Sequence, residues 1–169
     1  NIFYVEAEEK IYECTSRGIF KTKELKPVVG DNVLIELENE KGNILEIVDR
    51  KKYIKRPKMA NLTQLILVVS SKNPVPDLLM LDKQLAYVEK LKIEPIIIIN
   101  KIDLQDTYKQ IQELYTSIGY KTIVTSAKQD IGIDEVKQVL KNKISVFSGN
   151  SGVGKSSIIN AIFGGDKTQ

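Results

Sequence analysis

The chain of 169 residues has no histidine at all and a single cysteine, Cys14. Without histidine, Ser-His-Asp triads and the commonest general base are excluded. A lone cysteine can close no internal disulfide, and with no histidine beside it no four-ligand zinc site can be built. A reducing, cytoplasmic setting is the expectation. No apolar run approaches the ~18 residues that cross a bilayer, and no signal peptide opens the chain, so no membrane is expected. Hydrophobic residues at 42% and charged ones at 28% exclude a disordered or collagen-like chain. The length fits one domain or two small ones.

The net charge of +3 is small, but its distribution is uneven. Arg17, Lys21, Lys23 and Lys26 stand against Glu24 alone, and Arg50, Lys51, Lys52, Lys55, Arg56 and Lys58 form a run without an acid. The stretch between is acidic, with Glu36, Glu38 and Glu40. Such clusters either bind phosphates or are simply solvated, and charge alone leaves both open.

Two halves differ in periodicity. In residues 1–56, Ile2–Glu8, Lys10–Thr15, Asn32–Glu38 and Gly42–Val48 read as short strands, separated by turn signals at Gly18, 27–31 and 39–42. A small antiparallel β-barrel of the OB-fold type suits this length. Tyr4, Tyr12 and Phe20 are either base-stacking platforms on that barrel or part of its core. Cys14 reads as a packed small side chain. The neighbourhood of Arg56 and Pro57 is the expected junction, with a second domain over 57–169.

That second domain alternates apolar strands with amphipathic helices, which means a parallel α/β sheet. The strands are Leu65–Ser70, Pro95–Ile99, Thr122–Thr125 and Ile144–Phe147. Leu78, Leu81, Leu85 and Val88 mark one helix, opened by Pro76 and Asp77. Tyr108, Ile111, Leu114 and Ile118 mark the next, closed by Gly119, and Ile133, Val136 and Leu140 a third. A last helix runs from about Gly154 to Phe163.

Three polar motifs sit where strands end. Gly149-Asn150-Ser151-Gly152-Val153-Gly154-Lys155-Ser156 is a complete G-x-x-x-x-G-K-[ST] match between a strand and a helix. Its glycines let the backbone wrap phosphates, and the helix N-terminus adds positive potential there. Lys155 is placed to pair with the β- and γ-phosphates and Ser156 to ligate Mg²⁺. Asn100-Lys101-Ile102-Asp103 and Ser126-Ala127-Lys128 each follow a strand. Ligands of open parallel sheets lie beyond the carboxyl ends of the strands, so all three motifs converge on one crevice. The acceptor-only carboxylate of Asp103 matches the adjacent N1–H and N2–H₂ donors of guanine and faces an acceptor in adenine. GTP or GDP is therefore expected, not ATP.

Together these motifs resemble those of P-loop GTPases, but with the phosphate loop last in the chain. That order resembles the circularly permuted GTPases. With the barrel-like start, Val29-Gly30-Asp31 and Arg56-Pro57-Lys58-Met59-Ala60-Asn61, the chain resembles the ribosome small-subunit-dependent GTPase A family (RsgA, YjeQ or YloQ). The resemblance implies that Asn100 contacts the phosphate loop, Lys101 lies over the guanine ring and Asp103 holds the base edge. It implies that the Ala127 amide meets guanine O6, flanked by Ser126 and Lys128, and that Asn150–Ser157 enclose the phosphates. It also implies that the barrel docks on 16S rRNA of the 30S subunit, which stimulates hydrolysis during late maturation. Arg17, Lys21, Lys23, Lys26, Lys51, Lys52, Lys55 and Arg56 are the residues then expected to meet RNA, and a monomer is expected.

The family continues with a switch threonine, a D-x-x-G segment and a zinc-binding C-terminal domain, and none of these is in the 169 residues. The chain is therefore expected to be a fragment with the phosphate-loop strand at an open sheet edge and weak hydrolysis of its own. Two other functions are compatible with the residues: an RNA-binding protein with a non-catalytic nucleotide site, and a P-loop ATPase.

Overall fold

A computed structural model describes residues 2–16, 26–38, 41–55 and 58–164. They form two compact units that divide between Asn61 and Leu62, rather than at Arg56 and Pro57. The reason is a two-stranded ladder, β5 (Tyr53–Lys55) with β6 (Lys58–Ala60), that pairs across the expected junction and keeps both strands in the first unit.

The first unit is built on β1 (Ile2–Ala7), β2 (Lys10–Ser16), β3 (Asn32–Glu38) and β4 (Lys41–Val48), in the order β1-β2-β4-β3. The pairs β1–β2 and β3–β4 are antiparallel, but β2 and β4 run parallel. Such a crossover joins strands remote in sequence, so alternation within each strand cannot reveal it. Glu8, read above as the end of a strand, instead forms a two-residue hairpin turn with Glu9, φ being 50° and 64°. Two positive φ values match the right-handed twist of the flanking strands.

Cys14 and Ile44 are fully buried in this sheet, with Phe3, Val5, Tyr12, Val33, Ile35 and Ile47 packed around them. Burial pushes the Cys14 thiol pKa up, as for an inert packed side chain. Tyr12 thus belongs to the core, whereas Tyr4 is 74% exposed; Phe20 lies outside the described residues.

The second unit follows the expected alternation: β7 (Gln64–Ser70), α1 (Leu78–Lys90), β8 (Glu94–Asn100), α2 (Tyr108–Ser117), β9 (Lys121–Val124), α3 (Ile133–Leu140), β10 (Ser145–Ser148) and α4 (Lys155–Phe163). All pairs are parallel, in the order β10-β7-β8-β9, so the strand that feeds the phosphate loop lies at an edge. Ile66, Val68, Ile96, Ile98 and Ile123 from the sheet meet Ile133, Val136, Val153 and Ile158 in one core. Asp77 caps α1 by accepting from the Met80 amide at 2.9 Å. In α2 the buried stripe is Ile111 and Tyr115, while Leu114 and Ile118 are 48% and 62% exposed, contrary to the sequence reading. Tyr115 takes their place because its hydroxyl reaches Asp82 at 2.7 Å, which allows a polar tip inside the packing.

Candidate functional site

The site is assembled at the carboxyl ends of the parallel strands. β10 delivers Gly149, β8 ends on Asn100, and β9 leads into Thr125 and Ser126. The central strand β7 ends at Ser70, between the phosphate-loop strand and the base-motif strand.

Asn100 is the buried link between the motifs, 2% exposed. Its Nδ2 donates to the Val153 carbonyl of the phosphate loop at 2.9 Å. Its Oδ1 accepts from Thr125 Oγ1 at 3.1 Å and from the Ala127 amide at 3.2 Å. One side chain therefore ties β8 to the phosphate loop and to the Ser126-Ala127-Lys128 turn. A Cβ on Gly154 would stand 2.2 Å from that Nδ2, and φ there is 97°. A Cβ on Gly149 would stand 2.2 Å from the Val68 carbonyl oxygen. Both positions need glycine for close approach as well as for backbone freedom.

Lys101 has φ of 65°, uncommon for a residue with a side chain. Its ammonium donates to the carbonyls of Gly152, at 2.7 Å, and of Asn73. Asp103 is exposed, and its Oδ1 accepts from the fully buried Ser126 hydroxyl at 2.6 Å. Ala127 is half-buried and Lys128 exposed on the same turn. In the phosphate loop, Lys155 Nζ donates to the carbonyls of Gly149 and Asn150 at 2.8 and 2.9 Å. Val153 anchors the loop in the core, while Asn150, Ser151 and Gly152 are exposed, as are Ser156 and Ser157 in the first turn of α4. Sequence reasoning missed Thr125, Ser70, Ser71 and Thr107, because their partners are remote and no spacing marks them.

The basic residues are more dispersed. Lys26, Lys51 and Lys55 are exposed and Lys52 is half-buried; Arg17, Lys21, Lys23 and Arg56 lie outside the described residues. Lys51 pairs with Asp49 at 2.9 Å. Arg50, counted in the same run, is not a free surface charge. Its Nε and Nη2 reach the two Asp31 oxygens at 2.7 and 2.5 Å, Nη2 also donates to the Lys26 carbonyl, and the guanidinium lies over Tyr53. The hydrogen bond to Asp31 holds the arginine pKa above its already high value. Asn61 closes the same corner, with Nδ2 donating to the Gly30 carbonyl and Oδ1 accepting from the Lys51 amide, both at 3.0 Å. Asp31 and Asn61, two of the residues that carried the resemblance, thus do structural work.

A parallel α/β sheet that gathers a Walker-type phosphate loop and an Asn-Lys-x-Asp turn, with the loop last, is a P-loop GTPase domain in circularly permuted order. Family models described as RsgA GTPase and RsgA N-terminal domain match residues 47–169 and 1–45. The chain belongs to the RsgA GTPase family. The small ribosomal subunit biogenesis GTPase RsgA of Halalkalibacterium halodurans is 42% identical over 95% of this chain and 56% of that protein. Its namesake in Caldanaerobacter subterraneus is 44% identical over 95% and 55%. The crystal structure of YjeQ from Thermotoga maritima covers all of this chain with a TM-score of 0.87 at 41% identity, over 63% of its own length. That of YloQ, described as a circularly permuted GTPase, covers 94% with a TM-score of 0.78 at 38% identity, over 59% of its own length. The chain thus spans a little over half the length of the curated relatives.

Proposed function

We propose that this protein binds guanine nucleotide and Mg²⁺ at the crevice of the second unit, hydrolyses GTP, and serves late maturation of the 30S ribosomal subunit in the cytoplasm. The observation that carries the reading is the Asn100 bridge, which couples the phosphate loop and the base-reading turns through three hydrogen bonds from one buried side chain.

Each motif then has a task. Asp103, held by Ser126, accepts from the N1–H and N2–H₂ edge of guanine, and Lys101 lays its stem over the ring. The Ala127 amide, on a long bond to Asn100, turns to guanine O6. The amides of 150–157 and the start of α4 surround the phosphates. Lys155 has three donors, two of them on loop carbonyls, and adds a phosphate oxygen. The donor set suits Mg²⁺, which takes one or two protein oxygens and fills its octahedron with water and phosphate. Ser156 is the protein oxygen that would hold it. Held there, Mg²⁺ would supply positive charge against the phosphate oxygens where negative charge develops. The chain's own contribution is to hold the triphosphate in line and stabilise the leaving diphosphate.

The exposed lysines of the first unit, Lys26, Lys51 and Lys55, together with Lys52, Arg17, Lys21, Lys23 and Arg56, are the proposed contacts to 16S rRNA phosphates. The relatives' names, which place them in small-subunit biogenesis, support that partner. We take the acting species to be a monomer.

Asp103→Asn tests the reading. Guanine then loses a charged acceptor and meets a donor, whereas the C2 carbonyl of xanthine gains one. GDP affinity should fall by ~100-fold and xanthosine diphosphate should bind in its place, on the scale of a buried charged hydrogen bond. Equilibrium titration with both nucleotides reads the swap. Unchanged guanine preference, or displacement of GDP by ATP, would refute the assignment.

A further inference from the structure

Lys101 is the positive-φ residue of the base turn, and apart from the Gly152 carbonyl its ammonium and backbone are met by a segment outside every motif. The Ser71 hydroxyl donates to the Lys101 carbonyl, and the Ser71 amide donates to the Asn100 carbonyl at 2.8 Å. The Ser71 carbonyl accepts from Thr107 Oγ1 at 3.0 Å. Ser70 Oγ donates to the Pro74 carbonyl at 2.5 Å, folding 70–74 into a closed turn. The Asn73 carbonyl in that turn accepts from the Lys101 ammonium. Pro74 Cδ lies 3.7 Å from where a side chain on Gly152 would begin. Both serines are buried, at 1% and 2% exposure, so their hydroxyls are committed to these partners.

We propose that Ser70 and Ser71 are positioning residues of the nucleotide site, which fix Lys101 at its two ends. Ser71 holds the backbone in the left-handed conformation that aims the side chain across the base pocket. Ser70, through its bond to the Pro74 carbonyl, holds the turn whose Asn73 carbonyl, with that of Gly152, receives the ammonium. The stem is thus stretched between fixed points before any base arrives, and the ordering cost is met during folding rather than on binding. The inference rests on the guanine reading above, and its chemical target is the flat purine face rather than the hydrogen-bonding edge.

The test is dissociation of N-methylanthraniloyl-GDP from the protein, followed by fluorescence. Ser71→Ala should speed release by about fivefold and Ser70→Ala by about threefold, the scale of one lost hydrogen bond each. The rate belongs to the folded complex, so partial unfolding of a variant does not imitate it. The ratio of GDP to IDP affinity reads Asp103 and should stay as in the parent. In a Lys101→Met background, which removes the ammonium, Ser70→Ala should add nothing. Release from the double serine variant within twofold of the parent would overturn the proposal, as would a collapse of the GDP to IDP ratio, which marks general loosening. Failure of the parent protein to bind the probe would bring down the guanine site and this inference with it.

Discussion

In the first unit, Arg50 and Asp31 form an ion pair with side chains 14% and 2% exposed, and the half-buried Asn61 bridges the same corner. In the second, Ser70, Ser71, Asn100, Thr125 and Ser126 are all buried and all lie where parallel strands end. The two kinds of buried polarity follow from the two cores. A sheet centred on the fully buried Cys14 and Ile44 gains little from apolar burial and needs polar clasps. The isoleucine-rich parallel sheet is well supplied, and can hold polar groups at its rim in orientations that serve a ligand. Buried polarity therefore reports stability in one unit and, at the carboxyl ends of the strands, preorganisation in the other.

The sharpest way to break this contrast is Gly154→Ala. The new Cβ collides with Asn100 Nδ2, and the backbone there is left-handed. Asn100 must swing away and lose contacts to both the phosphate loop and the Ala127 turn. Strain and lost bonds together amount to ~3 kcal/mol, so GDP affinity should drop by ~100-fold in calorimetry. Hydrogen exchange in the first unit should not change. A variant that binds as the parent does would mean that the rim is not preorganised.

Asp31→Ala sharpens the contrast from the other side. It leaves the Arg50 guanidinium without its carboxylate in a corner where the two side chains are 14% and 2% exposed. Breaking such a pair costs about 3 kcal/mol. Faster hydrogen exchange is expected across 26–38 and 41–55, with unchanged protection over 62–164 and unchanged GDP affinity. Loss of nucleotide binding in this variant would erase the distinction between clasp and site.

How far these differences were legible in the sequence depends on the range of the interactions. Helix α1 announces itself through local spacing and Asp77, and the three site motifs announce themselves through fixed spacing at strand ends. Their convergence needed only the rule for parallel sheets, and the Asn100 to Val153 contact agrees with it. What was missed is long-range. Arg50 read as a basic surface residue because its carboxylate is nineteen positions away. The parallel β2–β4 contact and the β5–β6 ladder have no local signature, and Glu8–Glu9 is a turn without a customary turn residue. Leu114 and Tyr115 traded burial because Asp82, on a different helix, accepts the tyrosine hydroxyl.

The smallest expected effect concerns polarity that serves packing inside the second unit itself. Tyr120 donates to Glu89 at 2.6 Å, and that hydrogen bond, with partial burial and the nearby charges of Glu89 and Asp82, pushes its pKa up to about 12 from 10. The folded protein holds this proton more tightly than the unfolded chain. The associated stability is therefore complete below pH 10 and disappears as the pH rises through 12. Solvent screening keeps it under ~1 kcal/mol. Tyr120→Phe should be less stable than the parent at pH 8 by that small amount, and urea midpoints of the two should converge by pH 12. Tyr115, its buried neighbour 6.3 Å away between ring centres, is also raised, chiefly by burial and then by its bond to Asp82. A gap that persists at high pH would assign the Tyr120 contribution to ring packing rather than to its hydrogen bond with Glu89.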